Sequence, residues 1–117
     1  MGLFFDRDGK PIDLRTLAML NAKPGYRHVA QSVVTYDDGI PIEITTLWLG
    51  IDYRTDDDGL PLIFESIIVA DGNQALDGIG VQYSTLAAAI AGHDQIHATV
   101  RDGRIPVPSA IVGQVIR

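Results

Sequence analysis

The chain has 117 residues, enough for one domain with its own core and too few for two. Its 46% hydrophobic content and mean hydropathy of +0.14 argue against disorder. The net charge is −6, and the 9 basic residues are scattered singly, which argues against nucleic acid, whose phosphates require clustered Lys and Arg. The absence of cysteine excludes disulfides and thiolate metal sites and fits a reducing compartment. No apolar run approaches the ~20 residues of a membrane span. The segment Met1 to Lys10 carries Asp6 and Asp8 in place of a basic-then-apolar leader. A cytoplasmic, non-secreted protein without membrane or nucleic-acid partners is therefore expected.

In chain order, Leu3 to Phe5 is a short apolar run closed by the turn dipeptide Asp8-Gly9. Asp13 has the character of a helix N-cap, and Leu14, Leu17, Ala18 and Leu20 follow at helical spacing, predicting a short helix over about 13–21 that Lys23-Pro24-Gly25 stops. The Val- and Thr-rich run from His28 to Tyr36 predicts a strand, and Asp37 to Pro41 a hairpin loop. A long strand follows over 42–53. Its alternation puts Ile42, Ile44, Thr46 and Trp48 on one face and Glu43, Thr45, Leu47, Leu49 and Ile51 on the other.

Beyond the acidic loop of Asp56-Asp57-Asp58, a third strand is expected over about 61–70. Leu62, Phe64, Ser66 and Ile68 share one face of it; Ile63, Glu65, Ile67 and Val69 share the other. Asp71 to Gly80 reads as a polar, Gly-rich loop. Ser84 or Thr85 then caps the main helix, over about 84–100, with an inward stripe of Leu86, Ala89, Ile90, His93, Ile96 and Val100. The apolar segment Ala110 to Ile116 could add a final strand. The expected fold is a single α+β domain over 1–103. It has an antiparallel sheet of three to four strands, the C-terminal helix on one face and the N-terminal helix free to cover part of the other. Residues 104–117 form a C-terminal extension, a possible added strand or docking arm.

Two motifs bear on chemistry. Leu3-Phe4-Phe5-Asp6-Arg7-Asp8-Gly9 has an apolar strand delivering two carboxylates two residues apart, the arrangement with which a phosphotransferase holds Mg²⁺ and attacks phosphorus. The plainer reading is a turn with Asp at its shoulders. His93 and His97 stand at i and i+4, the spacing with which one helix face chelates zinc. Against this, His93 falls on the apolar stripe, where an imidazole is more often a buried, hydrogen-bonded core group. None of the serines sits in a nucleophile-elbow setting. No catalytic residue, metal or cofactor is assigned from the sequence; His93, His97, Asp6 and Asp8 are the candidates for a metal.

Several segments resemble a family. Trp48-Leu49-Gly50-Ile51-Asp52, Pro61-Leu62-Ile63-Phe64-Glu65, and Tyr83-Ser84-Thr85 followed by Gly92-His93 are similar to a series found in small proteins encoded by bacteriophages of actinobacteria and their prophages. The opening Asp6 to Ile12 and the run Tyr26 to Ala30 are also similar, so the resemblance spans about residues 4–103. It implies an origin and no mechanism.

Three function classes follow. The first is a non-catalytic protein-interaction module, a modulator of a host protein or an accessory factor. The second is a structural component of a virion or other assembly. The third is a metal-dependent enzyme or small-molecule binder. Apolar surface favours association, because leaving a large aliphatic or aromatic side chain exposed forgoes about 1.5–3 kcal/mol. The residues expected to exceed what one helix covers, and so to form an interaction surface, are Trp48, Leu49, Ile51, Ile63, Ile67, Ile111 and Val115. A homo-oligomer, most simply a twofold dimer, is expected, with a host or phage protein as the further partner.

Overall fold

The computed structural model describes residues 3–52, 59–108 and 111. Alternation of apolar and polar residues through the middle of the chain builds a four-stranded antiparallel sheet from β3 (His28–Thr35), β4 (Pro41–Trp48), β5 (Phe64–Val69) and β6 (Gly80–Tyr83), in sequential order. Before it, β1 (Phe4–Phe5) and β2 (Pro11–Ile12) form a small hairpin, and α1 (Leu14–Ala22) follows. The chain closes on α2 (Leu86–Arg101), packed across all four strands of one sheet face. The α+β class, the sequential antiparallel pairing and both helices agree with the sequence.

The helix starts follow local chemistry. Asp13 caps α1 by accepting from the Thr16 amide at 2.8 Å, and the hydrogen bonds from Thr16 hold its carboxyl below the usual carboxylate range. Of the two expected caps on α2, Thr85 is the one used: its hydroxyl accepts from the Ala88 amide at 3.1 Å.

Four expectations change in detail. The loop expected over Asp71 to Gly80 gives way at its last residue to a strand the sequence reading does not assign, because Gly80 to Tyr83 pairs with Phe64 to Ile67 as β6. The strand expected over 42–53 ends at Trp48, where Gly50 takes a left-handed φ of +75° and turns the chain so that Ile51 bridges to Phe4. On α2 the buried stripe is Ala89, Gly92, His93, Ile96 and Val100; Ile90 is 46% exposed. The helix is therefore rolled so that Gly92 lies on the sheet and Ile90 is displaced to a flank. Finally, α1 does not cover the second face. Leu17 lies beside Gly50 and the Trp48 indole, on the side of the sheet that α2 occupies. The expected segment Ala110 to Ile116 lies outside the described residues except for Ile111, which is buried in the core.

The core is one cluster between α2 and the sheet, extended at one end by the N-terminal elements. Trp48 links the two parts. Its Nε1 donates to the Phe5 carbonyl at 3.1 Å, and Tyr26 meets its ring edge to face at 4.8 Å between centroids. The Arg7 amide donates to the Tyr26 hydroxyl at 3.0 Å while its guanidinium lies 5.5 Å over the same ring.

Gly92 shows how tightly α2 is seated. A Cβ there would stand 2.3–2.5 Å from the Tyr83 ring and hydroxyl. In a free helix Gly→Ala stabilises by about 0.5–1 kcal/mol. Here Gly92→Ala is expected to destabilise by about 1–3 kcal/mol, because the ring has to move out of a packed core. Urea unfolding of the variant checks the sign. In the same assay Thr85→Ala is expected to cost about 1 kcal/mol and Ser84→Ala close to nothing.

Candidate functional site

The only chemistry-bearing residue that the sequence places on the apolar face of α2 is His93, and the sheet meets it with hydroxyl groups. Alternation along β4 and β5 turns Thr46 and Ser66 to the helix side, and their register places them directly opposite each other. Tyr83 from β6 and Ser32 from β3 complete the row. The Tyr83 hydroxyl donates to Ser66 Oγ at 3.0 Å, Ser66 Oγ and Thr46 Oγ1 are 2.5 Å apart, and Thr46 Oγ1 lies 2.7 Å from His93 Nδ1. His93 Nε2 lies 2.8 Å from Ser32 Oγ. Thr46, Ser66, Tyr83 and His93 are all at most 2% exposed; Ser32 is half-buried.

A serine beside an imidazole whose other nitrogen is held by a third group has the outline of a nucleophilic triad. Counting protons decides how it is wired. Tyr83 donates to Ser66, so the Ser66 proton needs its own acceptor, and Thr46 Oγ1 is the one within reach. The Thr46 proton then goes to His93 Nδ1, and the ring's N–H, on Nε2, donates to Ser32. The remaining proton belongs to Ser32, at the sheet edge where water can accept it. The opposite wiring, with Ser32 donating to Nε2, strands the proton of Ser66 in the core at about 1–3 kcal/mol. The favoured arrangement makes Ser32 an acceptor from histidine, whereas a serine nucleophile must donate to its base. In this arrangement the row pins the helix to the sheet.

Both ring nitrogens of His93 are also engaged, which leaves no lone pair for a metal shared with His97. Burial pushes the His93 pKa down, the Asp94 carboxylate raises it, and His97 and His28 lower it again. Burial likewise pushes the Tyr83 hydroxyl up. Asp6 has a structural use in the turn. Asp6 Oδ1 accepts from the Asp8 and Lys10 amides, both at 2.9 Å, and so staples the β1–β2 turn. Among the described residues no three His, Asp or Glu side chains gather as ligands.

The second candidate is the sheet face opposite α2. It presents Val33, Glu43 and Val69 in one cross-strand row, Gln31, Thr45 and Ile67 in the next, and Leu47, Glu65 and Gln82 in a third. No helix covers it. Val33, Ile67 and Val69 are 53%, 37% and 47% exposed. Glu65 accepts from Gln82 Nε2 at 3.5 Å, and the four strands contain no lysine or arginine.

Of the residues expected on an interaction surface, Ile67 stands on this face. Trp48 and Ile63 are fully buried and Ile111 is buried, all within the core of the chain itself, so a single folded chain does not present them. Leu49 and Ile51 are half-buried beside β1 and β5, and Val115 lies outside the described residues. The hydroxyl row was not picked out from the sequence, although Thr46 and Ser66 each interrupt an apolar face at matching positions. Among the described residues no helix is long and apolar enough to cross a membrane. Comparison with protein-family models, curated proteins and solved structures finds no match to this chain.

The lowered His93 pKa makes stability depend on pH. In the folded chain the ring takes up its proton below 6.5, the value it has when unfolded. Between the two values the unfolded chain binds more protons, so stability is complete above 6.5 and falls as pH drops through 6.5 toward the folded value. Urea midpoints of the wild type are expected to fall on acidification across this window, and those of His93→Gln to fall less. Ser66→Ala, which leaves the Tyr83 hydroxyl without its acceptor, is expected to cost about 1–3 kcal/mol at neutral pH.

Proposed function

We propose that this chain is a non-catalytic protein-interaction module, a small accessory protein of the bacteriophage type its sequence resembles, working in the cytoplasm of the infected cell. The observation that carries the reading is the open sheet face, with exposed aliphatic side chains in two of its rows and carboxylates at Glu43 and Glu65. The wiring of the His93 row supports it by assigning the most catalytic-looking cluster to folding. The chemistry of the face selects the partner. Two carboxylates without a lysine or arginine among the strands suit a protein surface that offers aliphatic side chains flanked by Lys or Arg. A second copy is a poor occupant of this face, since each would bring two carboxylates and no strand cation. The self-association expected from the sequence therefore needs another surface.

The test is capture from infected actinobacterial cells on immobilised wild type, Ile67→Lys and Glu43→Lys, followed by binding of the recovered candidate in purified form. A basic protein that binds wild type, weakens with salt, and is lost to both variants supports the reading. A purified partner indifferent to both substitutions overturns the assignment of the face, and co-sedimentation of the chain with particles selects the virion component instead.

A further inference from the structure

We infer that the chain pairs with a second copy of itself along the outer edge of β3, so that two four-stranded sheets join about a twofold axis. The sheet order makes β3 an edge strand. Among the described residues, no backbone group from Val29 to Thr35 bonds to anything but β4. Every second residue along such a strand points its N–H and C=O away from the sheet, which forms a template for another strand.

Edge strands are ordinarily guarded by lysine, proline, shortness or a bulge. The sequence HVAQSVVT contains no Asp, Glu, Lys, Arg or Pro and runs for 8 residues. Its one irregularity lies between His28 and Ala30; from there to Thr35 the register is unbroken. The other edge, β6, has 4 residues and begins with a glycine. The unguarded edge is therefore β3.

The occupant follows from symmetry and charge. An antiparallel strand is its own antiparallel partner about a twofold axis normal to the sheet, and a strand without charged residues meets no repulsion from its copy. The open sheet face, with its uncompensated carboxylates, lacks this self-complementarity.

A separate observation lies on the helix. His93 reaches Ser32 on β3, and Gly92 rests on Tyr83 of β6. At 100° per residue, Ile90 falls beyond His93 on the side away from Gly92, and so on the flank of α2 toward β3. It is 46% exposed there. The twofold keeps both helices on the same face of the joined sheet and turns their Ile90 flanks toward each other. The two open faces become one continuous surface on the opposite side.

The cysteine-free sequence makes the test clean, because a single introduced cysteine is the only labelling site. Light scattering is expected to give twice 12.7 kDa for the wild type. Gln31→Lys, at an exposed edge position, is expected to give the monomer mass with a cooperative melt that no longer depends on protein concentration, whereas Ile67→Lys, away from the edge, leaves the dimer intact. Spin labels on Gln31→Cys are expected to couple strongly between copies, and those on Gln82→Cys, at the opposite edge, are not. A monomeric wild type, a dimer that survives Gln31→Lys, or coupling at 82 in place of 31 overturns the inference. Gln31 shares a cross-strand row of the open face with Ile67, so the separation rests on Ile67→Lys. Loss of the partner protein with the dimer intact tells the open face from the edge, and the failure of one proposal leaves the other standing.

Discussion

Everything in this fold is referred to the dry contact between α2 and the sheet, and the demanding part of that contact is polar. An imidazole and four hydroxyls sit across the helix–sheet boundary, three of those hydroxyls almost out of reach of water. Each buried hydroxyl costs free energy unless its proton and lone pairs are matched. The row satisfies itself only when Thr46 is opposite Ser66, Tyr83 beside Ser66, and His93 above both Thr46 and Ser32. An aliphatic core tolerates sliding and repacking far better than this. The row therefore fixes how α2 is rotated and where it sits along the strands. That rotation places Gly92 on the Tyr83 ring and leaves Ile90 outside.

The same dependence explains what could be read from the sequence. Strands, helices and faces follow from period-two and helical patterns, and Ile42, Ile44, Trp48, Phe64 and Ile68 lie where alternation places them. The burial of His93 is likewise legible from its place on an apolar stripe. The exact roll of α2 is not, since a stripe with Ile90 inside and one with Gly92 inside differ by a fraction of a turn. What decides between them is the fit of Gly92 to Tyr83, a residue 9 positions away in a strand too short to stand out from the loop before it. Trp48 and Ile63, expected on an interaction surface, are buried for a related reason. The N-terminal hairpin and α1 extend the core beyond α2, and local pattern carries no signal of where a distant segment folds back.

The His93 row also shows how little a motif-like geometry says without its protons. Ser32, His93 and Thr46 stand at hydrogen-bond distances that would suit a nucleophile, a base and an orienting group. The direction of donation is set remotely, by a tyrosine two hydroxyls further on, which has a proton to give and so turns every bond in the series the same way. The assignment of this cluster to folding thus rests on one donor, Tyr83, and on the burial that denies Ser66 a water to donate to.

Register ties the interior to the surface. In a pleated sheet, a slip of one residue exchanges the two faces. Such a slip of β4 would carry Glu43 under α2 and expose Ile42, Ile44 and Trp48; in β5 it would carry Glu65 inside and expose Phe64 and Ile68. A carboxylate in that interior has no strand cation to pair with, so the penalty would be that of a bare buried charge. Glu43 and Glu65 consequently have two effects. They exclude the slipped sheet, and they leave the outer face acidic. The outer face is held open by the same requirement that closes the inner one. Its aliphatic rows and carboxylates are as fixed in position as the core, although nothing within the described chain covers them.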